Sequence, residues 1–235
     1  NSLFNNQSGN SNVAVGVAAL YNTGNRSNLA AVGDSALYNN GVGAVNPYEA
    51  TANSAFGSKA LYANTTGYYN TATGSNALKN NTTGIQNTAN GTGALFTNTT
   101  GGANTATGLN ALFQNSTGNN NTAVGNFTLT NNSSGNNNTG TGTGALSTNT
   151  TGNNNTAAGT GSLFSNTTGY SNVAIGTEAL YKNTVRTNLV AVGDSALYNN
   201  GTGASFPFES INNTAVGSKA LYANTKGNDN AATGF

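Results

Sequence analysis

The sequence predicts an all-β fold, a parallel β-solenoid or β-roll of 17-residue coils, and three observations lead to this prediction. A glycine that closes an N-T-A-x-G motif recurs every 17 residues, with two spacings of 24. A leucine follows each of the first twelve of these anchor glycines by four residues. Charged residues are only 6% of the chain, against about a quarter in ordinary globular proteins. Sparse apolar residues in strictly regular places favour an ordered repeat over disorder.

Each unit is expected to contain a short strand (T-A-x-G-x), a second short strand (x-A-L-aromatic) and an N-T-T-G turn. In an extended chain the anchor glycine, the alanine two residues before it and the following leucine share one side, so they form the core. Gly140 stands where that alanine would be. The turn glycine is expected to supply a positive φ. The anchors are Gly16, Gly33, Gly57, Gly74, Gly91, Gly108, Gly125, Gly142, Gly159, Gly176, Gly193, Gly217 and Gly234.

Stacked units would pair each strand in parallel with its copies in neighbouring coils, about 4.8 Å apart. Identical residues then form files along the stack. The asparagine four residues before the anchor is expected to form an amide ladder, in which each side chain bonds the next. This ladder includes Asn12, Asn53, Asn70, Asn87, Asn104 and Asn121.

A second, longer repeat overlies the first, because residues 11–74 recur largely unchanged at 171–234. Each copy holds one seven-residue insertion, expected as a loop at about 39–52 and 199–212. We expect residues 1–235 to form a single continuous solenoid. The chain begins in the middle of a repeat, so we expect it to be a window of a longer array.

The few charges gather around these insertions. Arg26 and Arg186 replace the turn glycine in the coil before each insertion. One interpretation is a docking or ligand-binding loop, since insertions in solenoids often lie on the binding face. The other is a loop that folds back into its own coil with its charges paired locally. The candidate contact residues are Arg26, Asp34, Pro47, Tyr48, Glu49, Lys59, Arg186, Asp194, Phe206, Pro207, Phe208, Glu209 and Lys219.

An aromatic residue often follows the core leucine and is expected to point outward. One leucine per coil is a thin core, which favours burial of this outer row against sister chains or neighbouring rods. The alternative is that the rings fold over the edge of the coil and belong to the core. The candidate subunit-contact aromatics are Tyr21, Tyr38, Tyr62, Phe96, Phe113, Phe164, Tyr181, Tyr198 and Tyr222.

The motifs Asn12–Gly16 (NVAVG) and Asn172–Gly176 (NVAIG) resemble the NSVAIG-type repeat of YadA-like trimeric autotransporter heads. The fuller unit at Ala60–Gly74 is similar to arrays in bacterial surface proteins and in phage or viral fibres. This resemblance implies left-handed coils, a homotrimer, and an extracellular adhesive or spacer role at a cell surface or in a fibre. The YadA-type unit is shorter, and the N-T-T-G turn accounts for the difference here.

The residues argue against several other functions. The chain has no His and no Cys, and serine without a base is not a nucleophile, so we expect no catalytic residue and no enzyme. No acidic residue recurs once per coil, as a calcium-binding β-roll requires, so we expect no metal and no cofactor. A net charge of +1 offers no basic face for nucleic acid. No apolar run is long enough to insert into a membrane.

Three functions stay open at this point. The first is a structural segment of an extracellular adhesive or appendage fibre, with further copies of the chain as partners, as a homotrimer or a filament bundle. The second is a module whose insertion loops bind a glycan or a surface protein. The third is an ice-binding solenoid, based on T-x-T pairs such as Thr71 and Thr73. Sequons at Asn64, Asn98, Asn115, Asn149 and Asn166 lie on predicted turns, where glycans would fit, although chance explains them equally well.

Overall fold

The structure is a computed structural model that describes residues 1–235 and contains strands but no helix. The chain forms two compact units, Asn1–Asn120 and Asn121–Phe235. Each coil contributes one three-residue strand. The first unit contains β1 (Val13–Val15), β2 (Ala30–Val32), β3 (Ser54–Phe56), β4 (Thr71–Thr73), β5 (Thr88–Asn90) and β6 (Thr105–Thr107). The second contains β7 (Thr122–Val124), β8 (Thr139–Thr141), β9 (Thr156–Ala158), β10 (Val173–Ile175), β11 (Val190–Val192), β12 (Thr214–Val216) and β13 (Ala231–Thr233).

Within each unit the strands pair in parallel and in chain order. In the first unit Ala14 of β1 pairs with Ala31 of β2, and Ala72 of β4 pairs with Ala89 of β5. The second unit repeats this register from β7 to β13. Because partners are one coil apart, the predicted all-β parallel solenoid of 17-residue coils is confirmed. The prediction that both units form one continuous solenoid stays a prediction.

The insertions leave this register intact. Ala31 of β2 pairs with Ala55 of β3, and Ala191 of β11 pairs with Ala215 of β12. The extra residues of the longer coils therefore leave the sheet as loops, as expected.

The predicted second strand is wrong, because the x-A-L-aromatic segment is a turn. Lys59 and Leu61 illustrate the reason, since both are left-handed, with φ of 58° and 51°. The same alternation recurs in the other coils, where the leucine four residues after the anchor has φ near 50°. Leu61 N still donates to Ala77 O of the next coil at 3.0 Å. The turn thus keeps the bonding between coils without an extended backbone.

The role predicted for the turn glycines is also wrong. Gly67 does not have a positive φ. A β-carbon there would meet the Gly84 carbonyl oxygen of the next coil and lie 2.5 Å from Asn64 Oδ1. Positive φ belongs instead to the anchor glycines, for example 126° at Gly74. The turn glycine is therefore required by close approach of two backbones rather than by a left-handed conformation.

The core consists of alanine and leucine, as expected. In most coils one leucine and two alanines are fully buried, as Ala72, Ala77 and Leu78 show. Leu29 and Leu189 add a second leucine in the coils that precede the insertions. Both occupy the place of the ladder asparagine.

Two amide ladders, rather than the single predicted one, cross this core. The predicted ladder is confirmed from Asn53 onward: Asn87 Nδ2 donates to Asn70 Oδ1 at 3.2 Å and to Gly101 O at 2.9 Å. Asn12 is separated from it, because Leu29 fills the next place and donates its backbone N–H to Asn12 Oδ1. The second ladder uses the first asparagine of each N-T-T-G turn. Asn81 Nδ2 donates to Asn64 Oδ1 at 2.8 Å, and Asn98 Nδ2 donates to Asn81 Oδ1 at 2.7 Å.

The second ladder corrects the interpretation of the sequons. Their asparagines are fully buried, and their amide nitrogens donate hydrogen bonds along the ladder. A glycan needs that nitrogen and open space around it. The folded coils therefore have no room for glycans at Asn64, Asn98, Asn115, Asn149 and Asn166.

Candidate functional site

The first candidate site is the insertion loop, which an arginine fastens to the coil before it. Arg26 Nη1 donates to Asn46 O at 2.6 Å, and Nη2 donates to Ala44 O at 2.7 Å. In the second unit Arg186 Nη1 donates to Phe206 O at 2.8 Å. A planar guanidinium presents two parallel donors, which suits two carbonyls of one loop. The arginine found in place of the turn glycine thus sets the path of the loop.

A glutamate holds the same loop from its own side. Glu49 Oε2 accepts hydrogen bonds from Val45 N at 2.7 Å and from Asn46 N at 3.0 Å. Bonds from the backbone and side chain of Asn46 hold the pKa of Glu49 below its usual value, and Arg26 adds a smaller electrostatic contribution. Glu209 holds the second loop in the same way, through Ser205 N and Phe206 N. The loop charges are therefore satisfied locally.

The tips of both loops nevertheless point away from the coils. Val45 is 84% exposed and Tyr48 is 57% exposed, and Pro47 is exposed between the two. Tyr48 packs edge-on against Tyr68 with ring centroids 5.7 Å apart. The loop therefore folds against its coil through its charges, but it does not plug the interior.

The second loop carries a different tip. Phe206 and Phe208 are 57% and 63% exposed, and their rings stack at 5.5 Å with an interplanar angle of 7°. Pro207 between them is exposed as well. The two loops thus share one scaffold and differ in the aromatic surface that they present.

The structure separates four of the sequence candidates from these loops. Asp34 and Lys59 are exposed and lie in neighbouring coils, where Lys59 N donates to Asp34 O at 2.8 Å. Asp194 and Lys219 repeat this backbone contact. No hydrogen bond or ion pair of these side chains reaches an insertion loop. They recur with the long repeat but do not join Arg26 and Glu49 in one site.

The insertions also disturb the second amide ladder, which sequence reasoning missed. Asn200 Nδ2 donates to Ser210 O at 2.8 Å, within its own enlarged coil. Asn183 Oδ1, which would otherwise accept from Asn200, has no partner. The hydroxyl of Thr23, at the matching place in the first unit, is buried without a partner too. Each insertion therefore interrupts the ladder at one buried polar atom.

The second candidate site is the outer row of aromatics, which forms stacked ladders. In the first unit Tyr21 and Tyr38 stack at 5.0 Å and Tyr38 and Tyr62 at 5.2 Å. In the second unit Phe164 and Tyr181 stack at 5.1 Å, and the file continues through Tyr198 and Tyr222. The rings lie outside the leucine core, as expected, and most are half-buried by one another. Ring-on-ring packing stabilises this face within a single chain.

The ring ladder has a gap in the second unit. Thr130 and Ser147 stand where rings stand in other coils. A groove of about 500 Å³ opens there, and Phe127, Phe164 and Glu178 help to line it. Sequence reasoning missed this groove, whose only signal in the sequence is the absence of an aromatic residue at two consecutive ladder positions.

The threonine files considered for ice binding lie on the outer face of the strands. In the first file Thr71 pairs with Thr88. In the second file Asn90 stands between two threonines, pairing with Thr73 on one side and with Thr107 on the other. The second file is therefore interrupted in alternate coils. Ice binding stays an untested alternative, which a thermal hysteresis measurement would settle.

His, Cys, Asp and Glu side chains form no group of three that would hold a metal ion. No helix is long and apolar enough to span a membrane.

Comparisons with known proteins give no relative of this chain: no family model, no curated protein and no solved structure matches it.

Proposed function

We propose that this chain is a structural segment of an extracellular adhesive or appendage fibre, in which the solenoid serves as a repetitive rod. The bonding between coils carries this proposal. Asn81 bonds to Asn64 and Asn98 to Asn81 through the same atoms. Each coil satisfies its buried polar groups through hydrogen bonds to the neighbouring coils. Further coils can therefore be added to the stack by repeating the same bonds. Length and regularity are the properties that a fibre shaft needs.

We propose further that the fibre is a homotrimer of left-handed coils, with the outer aromatics as the subunit contact. The half-buried rings of Tyr38, Tyr62 and Tyr181 form apolar strips of the kind that protein contacts cover. A core with a single leucine in most coils also gains from burial against a sister chain. The resemblance of Asn172–Gly176 to trimeric autotransporter repeats agrees with this arrangement.

Native mass and location test this proposal. One chain has a mass of 23.4 kDa, so a trimer gives a particle of three times that mass, and Tyr181→Ser should shift it toward the monomer. A stable, folded 23.4 kDa monomer would contradict the trimer but not the rod.

Immunogold labelling of the source cells or particles tests the fibre itself. We expect label on filaments outside the cell or on virion fibres, and label confined to the cell interior would contradict the proposal.

A second function, recognition of a glycan or a surface protein by the insertion loops, is favoured by the stacked and exposed Phe206 and Phe208. Rigid aromatic rings give a large contact area at low entropic cost. Deletion of residues 46–50 and 206–210 tests it by attachment to glycan arrays and to cells. Binding that survives the deletion while the coils stay folded would rule out the loops as the recognition site.

A further inference from the structure

The groove at the gap in the ring ladder has a close counterpart elsewhere in the chain. Lys79 occupies the ladder position one coil before Phe96, and its Nζ lies 5.2 Å from the centre of that ring. Ser147 occupies the same position one coil before Phe164. At residue 79, where the ladder lacks a ring, the chain itself thus places a cation on the next ring face. Lys182 also places its Nζ 5.3 Å from the centre of the Tyr198 ring, although its own coil keeps a ring, Tyr181, at the ladder position.

No side chain of the chain performs this role at Phe164. Ser147 is too short to cover the ring, and Thr130 in the preceding coil leaves the space open. Phe127, which is 43% exposed, forms an aromatic wall of the same groove. The groove therefore offers apolar and aromatic walls in a volume typical of small-molecule sites.

The only charged residue that lines the groove is acidic. Glu178 lines the groove together with Phe164 and Tyr181. The pKa of Tyr198, the next ring in the file after Tyr181, is raised mainly by desolvation. The negative charge of Glu178 raises that pKa further. An acidic group beside exposed ring faces complements a cation.

We propose that this groove binds a quaternary ammonium group, with the cation on the open face of Phe164, Phe127 as a second wall and Glu178 as the counter-charge. The low polarity of the lining favours a trimethylammonium group over a primary ammonium, because the latter loses three hydrogen bonds to water on entry. Aromatic faces are the usual means of recognising such cations. This inference goes beyond the fibre role and does not depend on it.

Titration of the full 235-residue chain with choline, followed by two-dimensional NMR, tests the proposal. We expect saturable shifts at Phe127 and Phe164. The neutral isostere 3,3-dimethylbutan-1-ol and the primary amine ethanolamine should each bind about tenfold more weakly, because the alcohol has no charge to place on the ring and the primary ammonium loses hydrogen bonds to water on entry. Equal binding of choline and its neutral isostere, or shifts spread outside the groove, would overturn the proposal, as would the absence of binding.

Two variants sharpen the test. Glu178→Gln keeps the shape of the side chain and should weaken choline binding about tenfold, whereas Asp229→Asn, outside the groove, should leave it unchanged. Ser147→Lys places an ammonium over Phe164 as Lys79 does over Phe96, and it should abolish choline binding. Ser75→Lys adds the same charge elsewhere as a control. Undiminished binding in a folded Ser147→Lys chain would overturn the site, and Phe164→Leu supplies a second check if that variant does not fold.

Discussion

The side chain of Thr128 fills the space that a β-carbon at Gly140 would need. A β-carbon placed at Gly140 would lie 2.6 Å from Thr128 Cγ2, and Thr128 Oγ1 donates to Gly142 O at 2.6 Å. In most other coils both places hold alanine, as at Ala145 and Ala157. The missing alanine at residue 140 is therefore matched by a larger residue twelve positions earlier. The two substitutions conserve core volume between neighbouring coils.

This relationship makes a double-mutant cycle informative. Gly140→Ala should destabilise the chain by about 1–3 kcal/mol because it overpacks the core. Thr128→Ala should also destabilise it, since it removes a methyl group and a buried hydrogen bond. The double variant restores the Ala–Ala pair of the other coils, so its free energy of unfolding in urea should lie well above the additive value. Additive effects would show that the two residues do not share one space.

The second amide ladder should contribute strongly to stability. Asn81→Ala leaves Asn64 Oδ1 and one Asn98 N–H without their partners, and each orphaned buried group costs about 1–3 kcal/mol. The neighbouring half-buried Asn80 provides the matched control, and Asn80→Ala should change stability by less than about 0.5 kcal/mol. Urea unfolding of both variants measures the difference. Equal losses of stability in the two variants would mean that a ladder asparagine contributes no more to the free energy of unfolding than a surface asparagine does.

Arg186 should order the insertion loop of the second unit without stabilising the strands. Arg186→Ala removes both donors to the carbonyls of Phe206 and Ala204. We expect faster amide exchange in residues 199–212, with strand protection unchanged. Lys219→Ala removes an exposed positive charge of the same long repeat and serves as the control. Loss of protection throughout the second unit would instead assign Arg186 a role in the coil itself.

The order of the loops should depend on pH. The hydrogen bonds from Phe206 and Ser205 lower the pKa of Glu209. A carboxyl group whose folded pKa is depressed stabilises the fold above its unfolded pKa, and this contribution is lost as pH falls through the folded pKa. The amide signals of Ser205 and Phe206 should therefore shift below the usual glutamate range, toward the values of Glu209→Gln. Glu49 in the first unit is an internal control, since its signals should still titrate in that variant. Loop signals that do not change on acidification would contradict this role.

Much of the fold followed from the sequence because the repeat is nearly exact. The spacing of the anchors predicted the register that Ala72 and Ala89 adopt, and the asparagine before each strand predicted the first ladder. The insertion loops were located for the same reason. Residues that recur at a constant spacing can meet their own copies in only one parallel arrangement.

The failures share a cause as well. Alternation along an extended chain predicted that Leu61 is buried, but its φ of 51° shows that a left-handed turn buries it. The N-T-T-G motif is typical of a solvent-facing turn, whereas Asn64 and Asn98 are fully buried in the coil. Local motifs describe a turn as it occurs alone. Here the neighbouring coils supply hydrogen-bond partners for the asparagine side chains of the turn, so these side chains are buried instead of exposed.

The sequence by itself determined the period, the parallel stacking and the places of the two insertions. All three depend only on which residues recur, and at what distance along the chain. The tertiary structure alone decided how residues at other separations meet. It placed Thr128 against Gly140, turned Arg26 onto the carbonyls of its loop, and opened the groove between Phe127 and Phe164. These contacts depend on side-chain volume and direction in neighbouring coils, which the period does not specify.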